Sequence, residues 1–403
     1  MMKRAIRVGL LLGSVACAIL AWSAFALRNG PMAVVVDLFM VGTVAAVGSL
    51  TLTGLRRVLG GGRGGVGRLL DRVVPAAGAG ALLLLLATRA TYRAEEVWFT
   101  QGDVQLEGTL YTPGWSDPVA GVVLVHGSGA ESRDEYRFYA RFLAQHGIAA
   151  LAYDKRGVGG SSGRLWATDY EGYATDAAAA VDFLAGRVSS PPGALGIVGF
   201  SEGEWVGPLA ALASDRVAFL AILGASGVSP AQQVSSEMAI RLRQRGFDAA
   251  AVEQALLLNE QVYRYQRSGE GADSLRTALE SARDQPWFTA ASDLPDEVYP
   301  VEDYAWWRSV MDFDPAPTWE RIRVPVLLLK GGRDDRSTAE VMEERITSAL
   351  ARGGNRDVVV RVLPEGDHLL LEWPMGPGVP PPVFSEDWPE LLVAWIRKQV
   401  GGR

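Results

Sequence analysis

The chain has 403 residues, 48% of them hydrophobic, and a formal net charge of −7. Residues 1–93 hold eleven Lys/Arg against two acids (+9), whereas the remainder holds 28 bases against 44 acids (−16), so two regions meet two environments. The acidic part offers no basic face for a nucleic-acid backbone, and a single cysteine, Cys17, excludes an intrachain disulfide or a cysteine-rich metal site.

Three apolar stretches come first, about Val8 to Leu27, Met32 to Leu55 and Val73 to Ala90. Each approaches the roughly 20 residues that span a bilayer as a helix. They predict a membrane-anchoring region over 1–93 with three transmembrane helices, about 8–27, 32–55 and 73–90. Met1 to Arg7 carries three bases, the first loop only Arg28, and the second loop, Arg56 to Arg72, five. Basic loops stay cytoplasmic, so the region beyond Ala90 is expected outside the cytoplasmic (inner) membrane. Ala24-Phe25-Ala26 also fits a signal-cleavage site, which would leave two spans and the same orientation.

From residue 94 to 403 the texture becomes that of a folded domain. Val97–Thr100 and Val104–Tyr111 alternate around Gly102-Asp103, a hairpin signal. Short apolar runs follow at Gly121–Val125, Ile148–Tyr153, Leu195–Phe200, Ala218–Leu223, Val324–Leu329 and Val358–Leu363. Helical patterns at Tyr136–His146, Tyr173–Arg187 and Glu204–Ala213 separate several of them. This alternation predicts an α/β fold, a mainly parallel sheet flanked by helices, with chemistry at the carboxyl ends of the strands. The interval of about 228 to 318 lacks strand runs and reads as amphipathic helices bearing Trp287, Trp306 and Trp307, with Trp319 just beyond. It is expected to be a helical lid insertion.

Gly199-Phe200-Ser201-Glu202-Gly203 fits G-x-S-x-G between a strand and a helix, the context of a nucleophile elbow. Small residues at Gly199 and Gly203 let strand and helix approach, and the Glu202 N–H faces a developing oxyanion. After the Val122–Val125 strand, His126-Gly127-Ser128-Gly129 supplies the second oxyanion donor, Ser128 first and Gly129 as alternate. Serine needs a base, and the chain has three histidines, His126, His146 and His368. His368 follows the Val358–Leu363 strand, while His126 reads as a turn residue and His146 as a helix end. The orienting acid is expected at Asp334, with Asp335 as fallback, after Val326–Leu329. Chain order Ser201, Asp334, His368 is that of the nucleophile-elbow hydrolases.

With these motifs in place, residues 97 to 399 resemble the α/β-hydrolase superfamily, in its esterase, serine-aminopeptidase-like and acyl-thioester-hydrolase-like branches. The carrying residues are His126 to Gly129, the turn Asp154-Lys155-Arg156-Gly157-Val158-Gly159-Gly160-Ser161, the elbow, Gly332-Arg333-Asp334 and Gly366-Asp367-His368. In the resembling branches the Asp154–Ser161 turn shapes the pocket rim. Relatives often carry glycine where this chain has Glu204, which is expected to face solvent on its helix. The resemblance and the triad together imply a serine hydrolase acting on a small-molecule carboxylic ester, or on a peptide, amide or thioester by the same acyl-enzyme route. No metal or organic cofactor is implied. A non-enzymatic membrane-anchored binding module is the contrasting expectation, disfavoured by the complete triad.

Overall fold

The computed structural model describes residues 91–189, 193–374 and 382–401. The three expected spans, and the basic loop between the second and third, lie outside these residues. Among the described residues no helix is long and apolar enough to cross a membrane.

The domain opens with a hairpin, β1 (Tyr92–Gln101) and β2 (Val104–Pro113), turning at Gly102-Asp103. Then come β3 (Ala120–Val125), α1 (Arg137–Gln145), β4 (Ile148–Tyr153), α2 (Tyr170–Arg187), β5 (Leu195–Phe200), α3 (Gly203–Ala213) and β6 (Val217–Leu223). After a helical insertion the chain returns through β7 (Val326–Gly331), α9 (Ala339–Arg352) and β8 (Val358–Leu363). It ends with a short ribbon of β9 (Leu371–Glu372) and β10 (Val383–Phe384), and α10 (Trp388–Gly401). The eight-stranded sheet has the order β1-β2-β4-β3-β5-β6-β7-β8. Strand β2 runs antiparallel to both its neighbours, and every pair from β4 to β8 is parallel.

Strand β3 shows why the sheet is sandwiched. Val123 and Val125 point into one core with Leu184 of α2 and Val206 of α3, whereas Val122 and Leu124 point into a second core with Leu143 of α1 and Ile396 of α10. A strand buried on both faces reads as a continuous apolar run because both sides of the pleat exclude water. Strand β8 is the sheet edge, and its residues from Val358 to Val362 are not fully buried.

The insertion between β6 and β7 is wholly helical among its ordered elements. It comprises α4 (Pro230–Gln244), α5 (Ala249–Ser268), α6 (Ala272–Ala282), a 3₁₀ turn at Val301–Tyr304, α7 (Ala305–Val310) and α8 (Ala316–Trp319). A capping box between Ser229 and Gln232 starts α4, and Asp248 caps α5. The insertion has its own small core, in which Leu242, Leu258, Leu275 and Trp287 are buried. Trp306 donates through Nε1 to the Thr168 carbonyl at 2.9 Å, tying the insertion to the segment before α2. Trp319 instead packs into the main core, 1% exposed.

Candidate active site

The turn from β5 into α3 places Ser201 at φ +49°, a left-handed conformation that a side-chain-bearing residue adopts at a cost of about 1–3 kcal/mol. The Ser201 N–H donates to the Leu223 carbonyl on β6 at 2.9 Å, which holds the turn against the sheet. A Cβ on Gly199 would come within 2.7 Å of the Gly203 carbonyl oxygen, so the approach of strand to helix requires glycine there.

His368 reaches this serine from the loop after β8. Its Nε2 lies 2.9 Å from Ser201 Oγ, and its Nδ1 lies 2.9 Å from Asp334 Oδ2. The loop is shaped by Asp367, which accepts from the N–H groups of Leu369 and Leu371 and from Trp373 Nε1. It packs so tightly on the end of β7 that a Cβ on Gly331 would sit 2.1 Å from the Asp367 carbonyl oxygen. The three residues expected to act together are thus brought together. The fallback acid Asp335 points elsewhere, accepting from Arg241 Nε of α4 at 2.6 Å.

Asp334 is 6% exposed and serves two donors through one oxygen. Besides His368, the Lys330 ammonium donates to Oδ2 at 2.7 Å, and the Arg336 N–H donates to Oδ1 at 2.8 Å. Burial pushes the Asp334 carboxyl up, but the hydrogen bond and charge of His368, and then Lys330, hold it below the ordinary carboxylate value. Lys330 is completely buried, and it also donates to the Ala225 carbonyl at 2.8 Å and to Ser337 Oγ at 3.0 Å. A buried ammonium needs such a full set of acceptors.

On the other side of Ser201 lies the His126–Gly129 loop. The His126 ring is buried, and its Nε2 donates to the Tyr153 carbonyl. Burial, and then the charge of Lys155, push its pKa down to about 3, so it is neutral at pH 7. His146 caps its own helix, with Nδ1 on the Phe142 carbonyl at 2.8 Å. Neither ring faces Ser201. The Gly127 N–H is committed to Glu131 Oε2 at 2.8 Å and Tyr136 Oη at 2.7 Å. Among the described residues, the N–H groups of Ser128 and Glu202 donate to no protein acceptor.

Two side chains depart from the sequence reading. Glu204, expected at the surface, is 1% exposed. Its carboxylate accepts from the Ser226 N–H and the Gly227 N–H, both at 2.8 Å, and from the Ser226 hydroxyl. The first turns of α3 are buried on all sides, because the loop after β6 folds back over them. Burial pushes the Glu204 carboxyl up to about 6, against those hydrogen bonds. Lys155, read as part of a pocket rim, is instead 4% exposed and paired with Glu202 at 2.7 Å.

The model of the alpha/beta hydrolase family matches residues 122–376, more than half of the chain. Esterase EstD of Thermotoga maritima is 26% identical over 273 residues, which cover 66% of this chain and 58% of that esterase. Among solved structures, the alpha/beta hydrolase GrgF from a Penicillium species is 17% identical, with a TM-score of 0.49 over 77% of this chain and 99% of its own. A proline iminopeptidase of Mycobacterium smegmatis is 16% identical, with a TM-score of 0.48 over 76% of this chain and 99% of its own. With more than half of its length matched to that family, the chain belongs to the alpha/beta hydrolases.

Proposed function

We propose that the protein is a serine hydrolase that cleaves a carboxylic ester through an acyl-enzyme. The observation that carries this reading is the unbroken chain of contacts from Ser201 Oγ through His368 to Asp334, each link 2.9 Å long, on a left-handed elbow. In it, Ser201 is the nucleophile. His368 takes the serine proton and returns it to the leaving group. Asp334 holds the imidazole tautomer and stabilises the imidazolium that forms. The N–H groups of Glu202 and Ser128 form the oxyanion hole, with Gly129 as the alternate to Ser128. The similarity to an esterase supports the ester reading. The insertion over residues 228–318 acts as a lid, and the apolar N-terminal stretches anchor the protein in the cytoplasmic membrane with the hydrolase domain outside.

A fluorophosphonate probe is expected to label the wild-type protein at Ser201 and to leave the Ser201→Ala variant unlabelled. Equal labelling of both, or none of the folded wild type, overturns the nucleophile assignment. A panel of p-nitrophenyl esters and aminoacyl anilides then reads the leaving group. Turnover of anilides above esters would replace the esterase reading with a peptidase one.

A further inference from the structure

Lys155 lies two residues past the end of β4, after Asp154. Its ammonium has three N–H donors and three acceptors: the Gly127 carbonyl at 2.7 Å, the Gly129 carbonyl at 3.2 Å and Glu202 Oε1 at 2.7 Å. The Tyr173 ring lies against the same ammonium, 5.1 Å from its centroid. The acceptors come from two separate segments. Gly127 and Gly129 flank Ser128 in the loop after β3, and Glu202 follows Ser201 on the elbow. These segments carry the two N–H groups assigned above to the oxyanion hole.

The Gly127 carbonyl belongs to the same peptide unit as the Ser128 N–H. A trans peptide is planar, with its C=O and N–H pointing in opposite directions. Fixing the carbonyl on Lys155 therefore fixes the direction of the Ser128 N–H. A cation on the carbonyl oxygen also polarises the peptide, which strengthens the N–H as a donor. The Ser128 carbonyl, whose peptide carries the Gly129 N–H, receives no such contact from Lys155. The preceding N–H, that of Gly127, is already held by Glu131 and Tyr136.

Burial of a charge this deep is costly unless it is paired and hydrogen-bonded. Glu202 provides the pair: its carboxyl is pushed up by burial and pulled down by Lys155. An apolar residue would fill the space with less penalty if packing alone were needed. The location of the pair, behind both prospective oxyanion donors, gives the charge a use.

We propose that Lys155 is the positioning residue of the oxyanion hole, locking the Gly127–Ser128 peptide and Glu202 into one cluster so that two N–H groups converge on the developing oxyanion. The proposal rests on Ser201 being the nucleophile. Lys155 itself touches no reacting atom, so its contribution appears only where negative charge develops on the substrate oxygen.

The test compares the full-length wild type with Lys155→Met and with the double variant Lys155→Met/Glu202→Gln, which removes both charges and leaves no orphan carboxylate. Each is checked for folding by its thermal midpoint and for an intact nucleophile by fluorophosphonate labelling. With a p-nitrophenyl ester, kcat is expected to fall about 100- to 1000-fold, the range for loss of an oxyanion donor, with KM within about 3-fold. Affinity for phenylboronic acid, whose tetrahedral adduct places an oxygen in the hole, is expected to fall in parallel with kcat/KM. Affinity for an uncleaved amide analogue of the substrate is expected to stay unchanged. A folded, labelled variant, single or double, with wild-type kcat overturns the proposal alone. So does a loss carried by KM with boronate affinity intact. Absence of Ser201 labelling in the wild type overturns the parent reading and the proposal with it.

Discussion

Glu204 sits three residues past Ser201, yet it faces the loop after β6. Its two oxygens hold Ser226 and Gly227, while Lys330 holds Ala225 and Trp205 Nε1 holds the Val228 carbonyl. The loop so fixed includes Gly224, which packs directly under His368. A buried carboxylate whose pKa is raised has a defined linkage. The folded state binds a proton that the unfolded chain has lost between about 4.5 and about 6, so stability falls as pH rises through that window. A shift of this size corresponds to about 2 kcal/mol. The stability difference between wild type and Glu204→Gln, measured by urea unfolding, should therefore change by about that amount from pH 4 to pH 7, with the wild type losing ground as pH rises. A difference that is flat with pH would mean that Glu204 does not titrate in that window. The contact of Ser201, His368 and Asp334 was legible in the sequence because each of the three follows a β-type run and is marked by glycine. Glu204, Lys155 and Lys330 were not, because a charged residue reads as surface unless its partner is known. Those partners are Ser226, Glu202 and Asp334, and only the fold brings the first two near.

At the scale of elements, strands with both faces buried were the easiest to read, since β3 to β6 are unbroken apolar runs and β7 is one up to Lys330. Boundaries moved where burial is one-sided. Strand β1 begins at Tyr92 rather than Val97, because residues Arg93 to Glu96 are exposed and show no alternation. Helix α2 begins at Tyr170 rather than Tyr173, because Asp169 caps it and Tyr170 stacks on Trp205, 5.2 Å between ring centroids. How the insertion docks was not legible, because its attachment is ionic and long-range. Glu237 of α4, 1% exposed, pairs with Arg336, and Arg241 pairs with Asp335. Both partners follow Asp334 directly, so the proposed lid is latched onto the loop that bears the acid. The arginines are partly exposed, which discounts each pair to about 1 kcal/mol or less. Glu237→Ala should lower the thermal midpoint, speed hydrogen exchange across 230–244 and raise KM, with Ser201 labelling retained. Unchanged exchange together with unchanged KM would show that the ion pairs do not hold the lid.

At the scale of the whole molecule, the site and the start of the domain lie at opposite ends of the sheet. Ser201, Lys155 and the His126–Gly129 loop follow the carboxyl ends of β5, β4 and β3. Thr91 accepts from the Gly114 N–H at 2.9 Å, and Tyr92 pairs with Pro113 beyond the amino end of β4. A strand of six residues spans about 20 Å, so the candidate site is held about that far from Thr91, where the described domain begins. Trp115, 80% exposed, lies one residue past Gly114 at this same end of the domain. If residues 1–90 anchor the chain, the site opens toward water and away from the lipid surface. The charge split would suit that arrangement, since +9 belongs to residues 1–93 and −16 to the remainder. Spheroplasts carrying the full chain should then hydrolyse a charged, membrane-impermeant chromogenic ester at the rate of the same cells after lysis, and external protease should abolish that activity. Activity that appears only after lysis would reverse the orientation, and activity that sediments with no membrane would remove the anchor.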